Sequence, residues 1–211
     1  MRPVYLSHFI DSDTPVYGGS RGNILIKQIR SIDRGDTSNN LHMTFPAHVG
    51  THIDFPYHFS NDGKKSNDYP PAFWIFNKVG FLDCSIEDVE SNLDSIAADI
   101  EILILKTGFG VNRHKDIYWS CQPVIPAKFA SLFKKRFPNI RIFGFDMISL
   151  TSRLDRAEGK SAHINFLVNN DILVLEDMNL QNIVHMPKLV IVSPLQINAA
   201  DGVPCNVIAF I

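Results

Sequence analysis

Five short segments of this chain are apolar on both faces: Glu101 to Thr107, Ile140 to Phe145, Asp171 to Leu175, Lys188 to Val192 and Asn206 to Ile211. Strands of that kind cannot keep one face in water, so they belong in a sheet covered on both sides, and helices must supply some of the cover. Asn23 to Arg30, with Ile24, Leu25, Ile26 and Ile29, is a further run rich in β-branched residues and reads as another strand. Two helices are legible. Ser85 with Asp88 three residues on has the spacing of a capping box, opening a helix through about Ile96. Pro126 suits a first helical position. Phe129, Leu132, Phe133 and Phe137 then line one face, Lys134-Lys135-Arg136 fall in the last turn, and Pro138 stops the helix. Strands outnumber helices and do not alternate with them one for one, which predicts a mixed α/β or α+β class rather than a doubly wound one.

At 211 residues, 45% hydrophobic and 20% charged, the chain can bury one substantial core, and a single domain over residues 1–211 is expected. A net charge of -2 points neither to nucleic acid nor to an anionic membrane. Cys84, Cys121 and Cys205 are odd in number, far apart and in no C-x-x-C pair, as in a protein with reduced thiols. The first residues lack the unbroken apolar region of a signal peptide, and no run approaches the roughly 18 apolar residues of a membrane span. A cytoplasmic location is expected.

The chemistry is concentrated in His48-Val49-Gly50-Thr51-His52-Ile53-Asp54-Phe55-Pro56-Tyr57-His58, which holds three imidazoles and a carboxylate in eleven residues. Imidazole nitrogen and carboxylate oxygen are ligands for Zn²⁺ and Mn²⁺, and a hydrolytic centre also needs a proton acceptor nearby. On a straight strand His48 and Asp54 would lie roughly 20 Å apart, too far to share an ion through bonds of about 2 Å. A single helical turn would bring His48 and His52 to about 5 to 6 Å between Cβ atoms, with a bend then needed near Asp54. Gly50 permits unusual backbone angles, and Pro56 ends any helix while pushing Phe55 toward an extended conformation. Val49, Ile53, Phe55, Tyr57 and Phe59 are expected to pack behind this bent segment and hold the ligands in place.

At these residues the chain resembles the cyclase-like metal-dependent hydrolases, a family that includes bacterial kynurenine formamidases and isatin hydrolases and is marked by H-x-G-T-H-x-D-x-P-x-H. His48, Gly50, Thr51, His52, Asp54, Pro56 and His58 match every fixed position. Asp13-Thr14-Pro15-Val16-Tyr17, Phe59 to Lys64, Leu105-Lys106-Thr107-Gly108, Gly144 to Ser149 and Asp201-Gly202-Val203-Pro204 look like further signatures of the family. The resemblance implies a swivelling β/β/α single domain, a mixed sheet flanked by helices, and a homodimer or homotetramer. It implies that His48, His52 and Asp54 bind metal, that His58 is the general base and acid, and that His163 and Glu176 complete a two-ion site. Zn²⁺ is the first expectation and Mn²⁺ the second, with one or two ions.

The implied reaction is metal-assisted hydrolysis of an amide, formamide or lactam C–N bond in a small molecule, with arylformamidase as the single best description. An imidazole, ordinarily titrating near about 6.5, suits the proton transfers. Tyr17, Phe45 and Phe55 could pack on an aromatic substrate, Tyr17 foremost because it offers both an apolar body and a polar tip. The competing reading is a non-catalytic, metal-containing protein that binds a small ligand on the same scaffold. A closed structural zinc site would draw on Cys, and the three cysteines are distant from the motif in sequence.

Overall fold

The computed structural model describes residues 1–19 and 24–211. Eleven strands run in chain order: β1 Pro3–Tyr5, β2 Leu25–Arg30, β3 Asn40–Thr44, β4 His52–Asp54, β5 Ile75–Phe76, β6 Val79–Asp83, β7 Ile102–Lys106, β8 Ile142–Phe145, β9 Leu173–Glu176, β10 Leu189–Pro194 and β11 Gly202–Phe210. The helices are α1 Val89–Asn92, α2 Ile117–Ser120, α3 Lys128–Arg136 and α4 Arg156–His163, the last continuing into a π-helix over Ile164–Asn169.

All strands but β2 and β3 form one mixed sheet, in the order β5-β10-β11-β4-β9-β8-β7-β6 with β1 added beside β11. β6 to β9 are parallel, while β4, β11, β10, β5 and β1 pair antiparallel. This is the mixed α/β class expected. Ile102 to Leu105 are fully buried, as are Leu173 to Leu175, because both faces of the parallel half are covered. The helical cover is aromatic: Phe133 of α3 lies edge-on to Phe143 of β8 at 5.1 Å, and Phe166 of the π-helix stacks on Phe143 at 5.2 Å. Each such ring contributes about 1.5–3 kcal/mol by burial alone.

α3 begins two residues after Pro126, with Phe129, Phe133 and Phe137 buried along one stripe. The helix expected from Ser85 is shorter. α1 is a single turn followed by a 3-10 turn over Leu93–Ser95. Ser85 donates its hydroxyl to the Asp88 carboxylate at 2.9 Å, so the two side chains satisfy each other instead of capping backbone N–H groups. Asn23 lies outside the described residues, and the strand expected there starts at Leu25. β2 and β3 form a separate hairpin that leaves Leu25, Ile29, Leu41 and Met43 about half exposed. Among the described residues no helix is long and apolar enough to cross a membrane.

Candidate active site

β4 is the hinge of the sheet, flanked by β9 on one side and β11 on the other. In its register His52 lies opposite Glu176, and Asp54 lies opposite Gly202. The sheet changes here from parallel to antiparallel, at the carboxyl end of β9, where open α/β sheets tend to leave a crevice. His52 and Asp54, two residues apart, share one face of β4 and are both buried.

The helical turn expected over His48 to His52 is absent. Gly50 takes a left-handed conformation, φ +58°, and turns the chain so that His48 folds back over β4. His48 Nδ1 then lies 2.8 Å from Asp54 Oδ1. Thr51 locks the turn in place, its hydroxyl donating to the Asp177 carbonyl at 2.5 Å and accepting from the His8 amide at 3.0 Å. Past Asp54, Pro56 opens a 3-10 turn through His58, which returns that imidazole to the same cavity. Val49, Ile53 and Phe55 pack behind the segment as expected. Phe59 instead faces the cavity, stacked on the His163 ring at 4.6 Å and edge-on to His58.

The two remote residues arrive. Glu176 ends β9, with Oε2 3.2 Å from His52 Nε2 and Oε1 accepting the Leu150 amide at 2.5 Å. His163 ends α4, whose Asp155 side chain caps the Glu158 amide. A Cβ at Gly159 would meet the Thr151 backbone at 2.6 Å, so this glycine lets α4 approach closely enough for His163 Nε2 to lie 3.5 Å from both Asp54 and Glu176. The π-helix begins immediately after His163, and helix irregularities of that kind cluster at functional sites.

Hydrogen bonding orients each ring. His52 donates Nδ1–H to the Gly50 carbonyl, and His163 donates Nδ1–H to the Gly159 carbonyl. An ionised carboxylate only accepts, so His48 Nε2–H and His58 Nδ1–H both donate to Asp201 Oδ2, at 3.0 and 2.9 Å. Three inner nitrogens, His48 Nδ1, His52 Nε2 and His163 Nε2, thus face the carboxylates of Asp54 and Glu176. Burial opposes charge on these groups, yet the carboxylates win. Asp54 and Asp201 raise His48 to about 9, Asp54 and Glu176 raise His163 to about 10, and His52 is also raised. Burial favours neutral carboxyls, but the imidazoles hold Asp54 well below the usual range and lower Glu176 as well. Buried imidazole nitrogens and carboxylates turned toward one point fit a cation that would displace the imidazole protons, and their N and O donors suit Zn²⁺, Mn²⁺ or Fe²⁺. Two groups have metal-ligand spacing, His48-Asp54-His58 and His52-Asp54-Glu176, with Asp54 in both.

The cavity over these groups has a volume of about 310 Å³, with Pro15, Tyr17, Phe59 and Ile148 among its apolar walls. Tyr17 is therefore at the site. Phe55 is not: it is fully buried against Tyr69 and Trp74. Phe45 is not among the residues lining this cavity. Cys205 is buried beside the Thr51 carbonyl, near the motif in space although far from it in sequence.

Sequence reasoning missed the support behind Glu176. Asp177 takes a left-handed φ of +51°, and its carboxylate is gripped by the Arg113 guanidinium at 2.8 Å and the Tyr118 hydroxyl at 2.5 Å. Gly202 stands in a segment that resembles a family signature, but its role shows only in the fold: a Cβ there would lie 2.8 Å from both ring nitrogens of His48 and closer still to Cε1. Gly202→Ala is expected to displace His48 and weaken metal binding by about 10- to 100-fold, the range seen when a ligand's support is removed, with the fold retained. Metal titration of the purified variant checks this, and wild-type affinity would sink the steric account.

The model of the Cyclase family, described as "Putative cyclase", matches residues 4–151. Kynurenine formamidase of Bacillus cytotoxicus is 33% identical over 175 residues, covering 79% of this chain and 77% of the relative. Isatin hydrolase A from Labrenzia aggregata, solved bound to benzyl benzoate, superposes with a TM-score of 0.82 at 21% identity, covering 99% of this chain and 93% of the other. A structure described as a potential metal-dependent hydrolase with cyclase activity gives a TM-score of 0.75 at 18% identity, covering 99% and 96%. The chain belongs to the cyclase family and shares the fold of these two solved structures.

Proposed function

We propose that this chain is a metal-dependent hydrolase of C–N amide bonds, an arylformamidase acting on a small aromatic formamide of the N-formylkynurenine kind. The observation that carries this reading is the convergence of three imidazole nitrogens and two buried carboxylates beneath a cavity that also holds His58. The names of the kynurenine formamidase and isatin hydrolase relatives support the reaction class.

His48, His52, Asp54, His163 and Glu176 would hold the metal, Zn²⁺ or Mn²⁺, with Asp54 positioned to be shared where two ions bind. When bound, such an ion supplies Lewis acidity, polarising the scissile carbonyl and acidifying water. Tyr17 and Phe59 flank an aromatic ring and exclude water from around it. His58 takes a proton from the attacking water and returns one to the leaving nitrogen, so that formate and a free arylamine depart. The working form is a homodimer or homotetramer in the cytoplasm, and the exposed apolar β2–β3 hairpin is the face it offers to another copy.

Elemental analysis of protein purified without added metal, followed by a panel of formanilide, lactam and ester substrates, tests the proposal. Bound divalent metal is expected, with formanilide turnover abolished by chelation and restored by Zn²⁺ or Mn²⁺. No bound metal and no metal-stimulated hydrolysis would refute it, and tight binding of a small ligand without hydrolysis would favour the non-catalytic alternative.

A further inference from the structure

Asp201 lies 143 residues beyond His58 in sequence, yet one of its oxygens touches two imidazoles of the site. Its backbone is fixed on both sides: its carbonyl accepts the Phe55 amide at 2.9 Å, and Gly202 after it is in register with Asp54. The carboxylate is 40% exposed, and an ordinary ion pair at that exposure contributes little to stability. The arrangement differs from an ordinary surface pair because a single acceptor oxygen sets the ring orientation of two histidines with different tasks. With Nε2–H committed to Asp201, His48 can present only Nδ1 to Asp54 and a metal. With Nδ1–H committed, His58 must keep its exchangeable lone pair on Nε2.

We propose that Asp201 is a positioning residue that fixes the tautomer and orientation of His58, and with it the ring of His48. This rests on the hydrolase reading above, in which His58 moves the protons. The carboxylate does not touch substrate; it acts through His58, as carboxylates orient imidazoles in other proton-transfer sites. Its clearance from His48 is set by the next residue, because only glycine fits at position 202. The pair Asp201-Gly202 therefore combines an acceptor with the space for the ring it orients.

The test combines kinetics with a readout that needs no turnover. In zinc-loaded protein, Asp201→Ala is expected to lower kcat by about 10- to 100-fold with bound metal retained and KM little changed. Asp201→Asn, whose amide oxygen still accepts, is expected to recover part of the loss and provides a second variant should the alanine protein fold poorly. In a His58→Ala background the Asp201 substitution is expected to cost little more, since its target is gone. Nitrogen-15 spectra of labelled imidazoles are expected to place the His58 proton on Nδ1 in the wild type and to shift it toward Nε2 in Asp201→Ala. An unchanged tautomer overturns the assignment, whatever the protein hydrolyses. So do losses that multiply with His58→Ala, or full recovery of the alanine variant by excess metal. Absence of turnover in the wild type with the tautomer shift intact would strike the hydrolase reading and leave the positioning role standing.

Discussion

His58→Ala is expected to retain its metal and lose about 100- to 10,000-fold in kcat, the usual span for removing a general acid–base group. The imidazole sits at the end of the 3-10 turn Pro56–His58, half-buried, with its ring 4.1 Å from that of His48. Truncation leaves Asp54, Glu176 and the three other imidazoles in contact through bonds that do not pass through residue 58. The cavity walls Tyr17 and Phe59 also stay, so KM should move far less than kcat. Steady-state kinetics paired with elemental analysis of the same preparation is the check. Unchanged turnover would refute the role. Loss of an equivalent of metal would make His58 a ligand, an option left open by its spacing to His48 and Asp54.

Asp54→Ala should strike the other half of the site, removing the carboxylate common to both donor groups. That side chain lies 2.8 Å from His48 Nδ1 and 3.5 Å from His52 Nε2 and His163 Nε2. Its loss is expected to weaken metal binding by more than the 10- to 100-fold typical of a supporting residue and to abolish turnover at ordinary metal concentrations. The fold should survive, because His52 and His163 keep their bonds to backbone carbonyls and can remain as neutral imidazoles. Isothermal titration with zinc, alongside circular dichroism, separates the two effects. Near-normal zinc affinity in a folded variant would show that Asp54 does not hold the ion.

Much of this site is legible in the chain because its first part is local. His48, His52, Asp54 and His58 fall within eleven residues, and ligand spacing alone marks them. The route by which they converge is less legible. A helical turn and a left-handed glycine both shorten the path from His48 to His52, and Gly50 permits the second without announcing it. His163 and Glu176 were reached only through family resemblance, since a histidine ending a helix and a glutamate ending a buried strand carry no mark of each other until β9 is paired with β4. Asp177 and Arg113 depend on the same pairing, and Asp201 on that of β11 with β4. In the scaffold, unbroken apolar runs such as Ile102 to Leu105 identified buried strands well. Ser85 and Asp88 misled because a capping motif specifies residue types, while the choice of partner, side chain or backbone, is settled by local geometry.

Under the proposed function, the crowd of imidazoles around Asp54 and Glu176 governs how a divalent ion would enter. The carboxylates that raise His48 to about 9 and His163 to about 10 favour the protonated rings, with the protons on the nitrogens a cation would use. Loading would therefore be an exchange reaction, one divalent ion entering as hydrogen ions leave for solvent. Such a centre acidifies an unbuffered solution as it fills. Its ion is expected to bind more weakly with each step toward acid, and to be removed more readily by mild acid with a chelator than by the chelator alone.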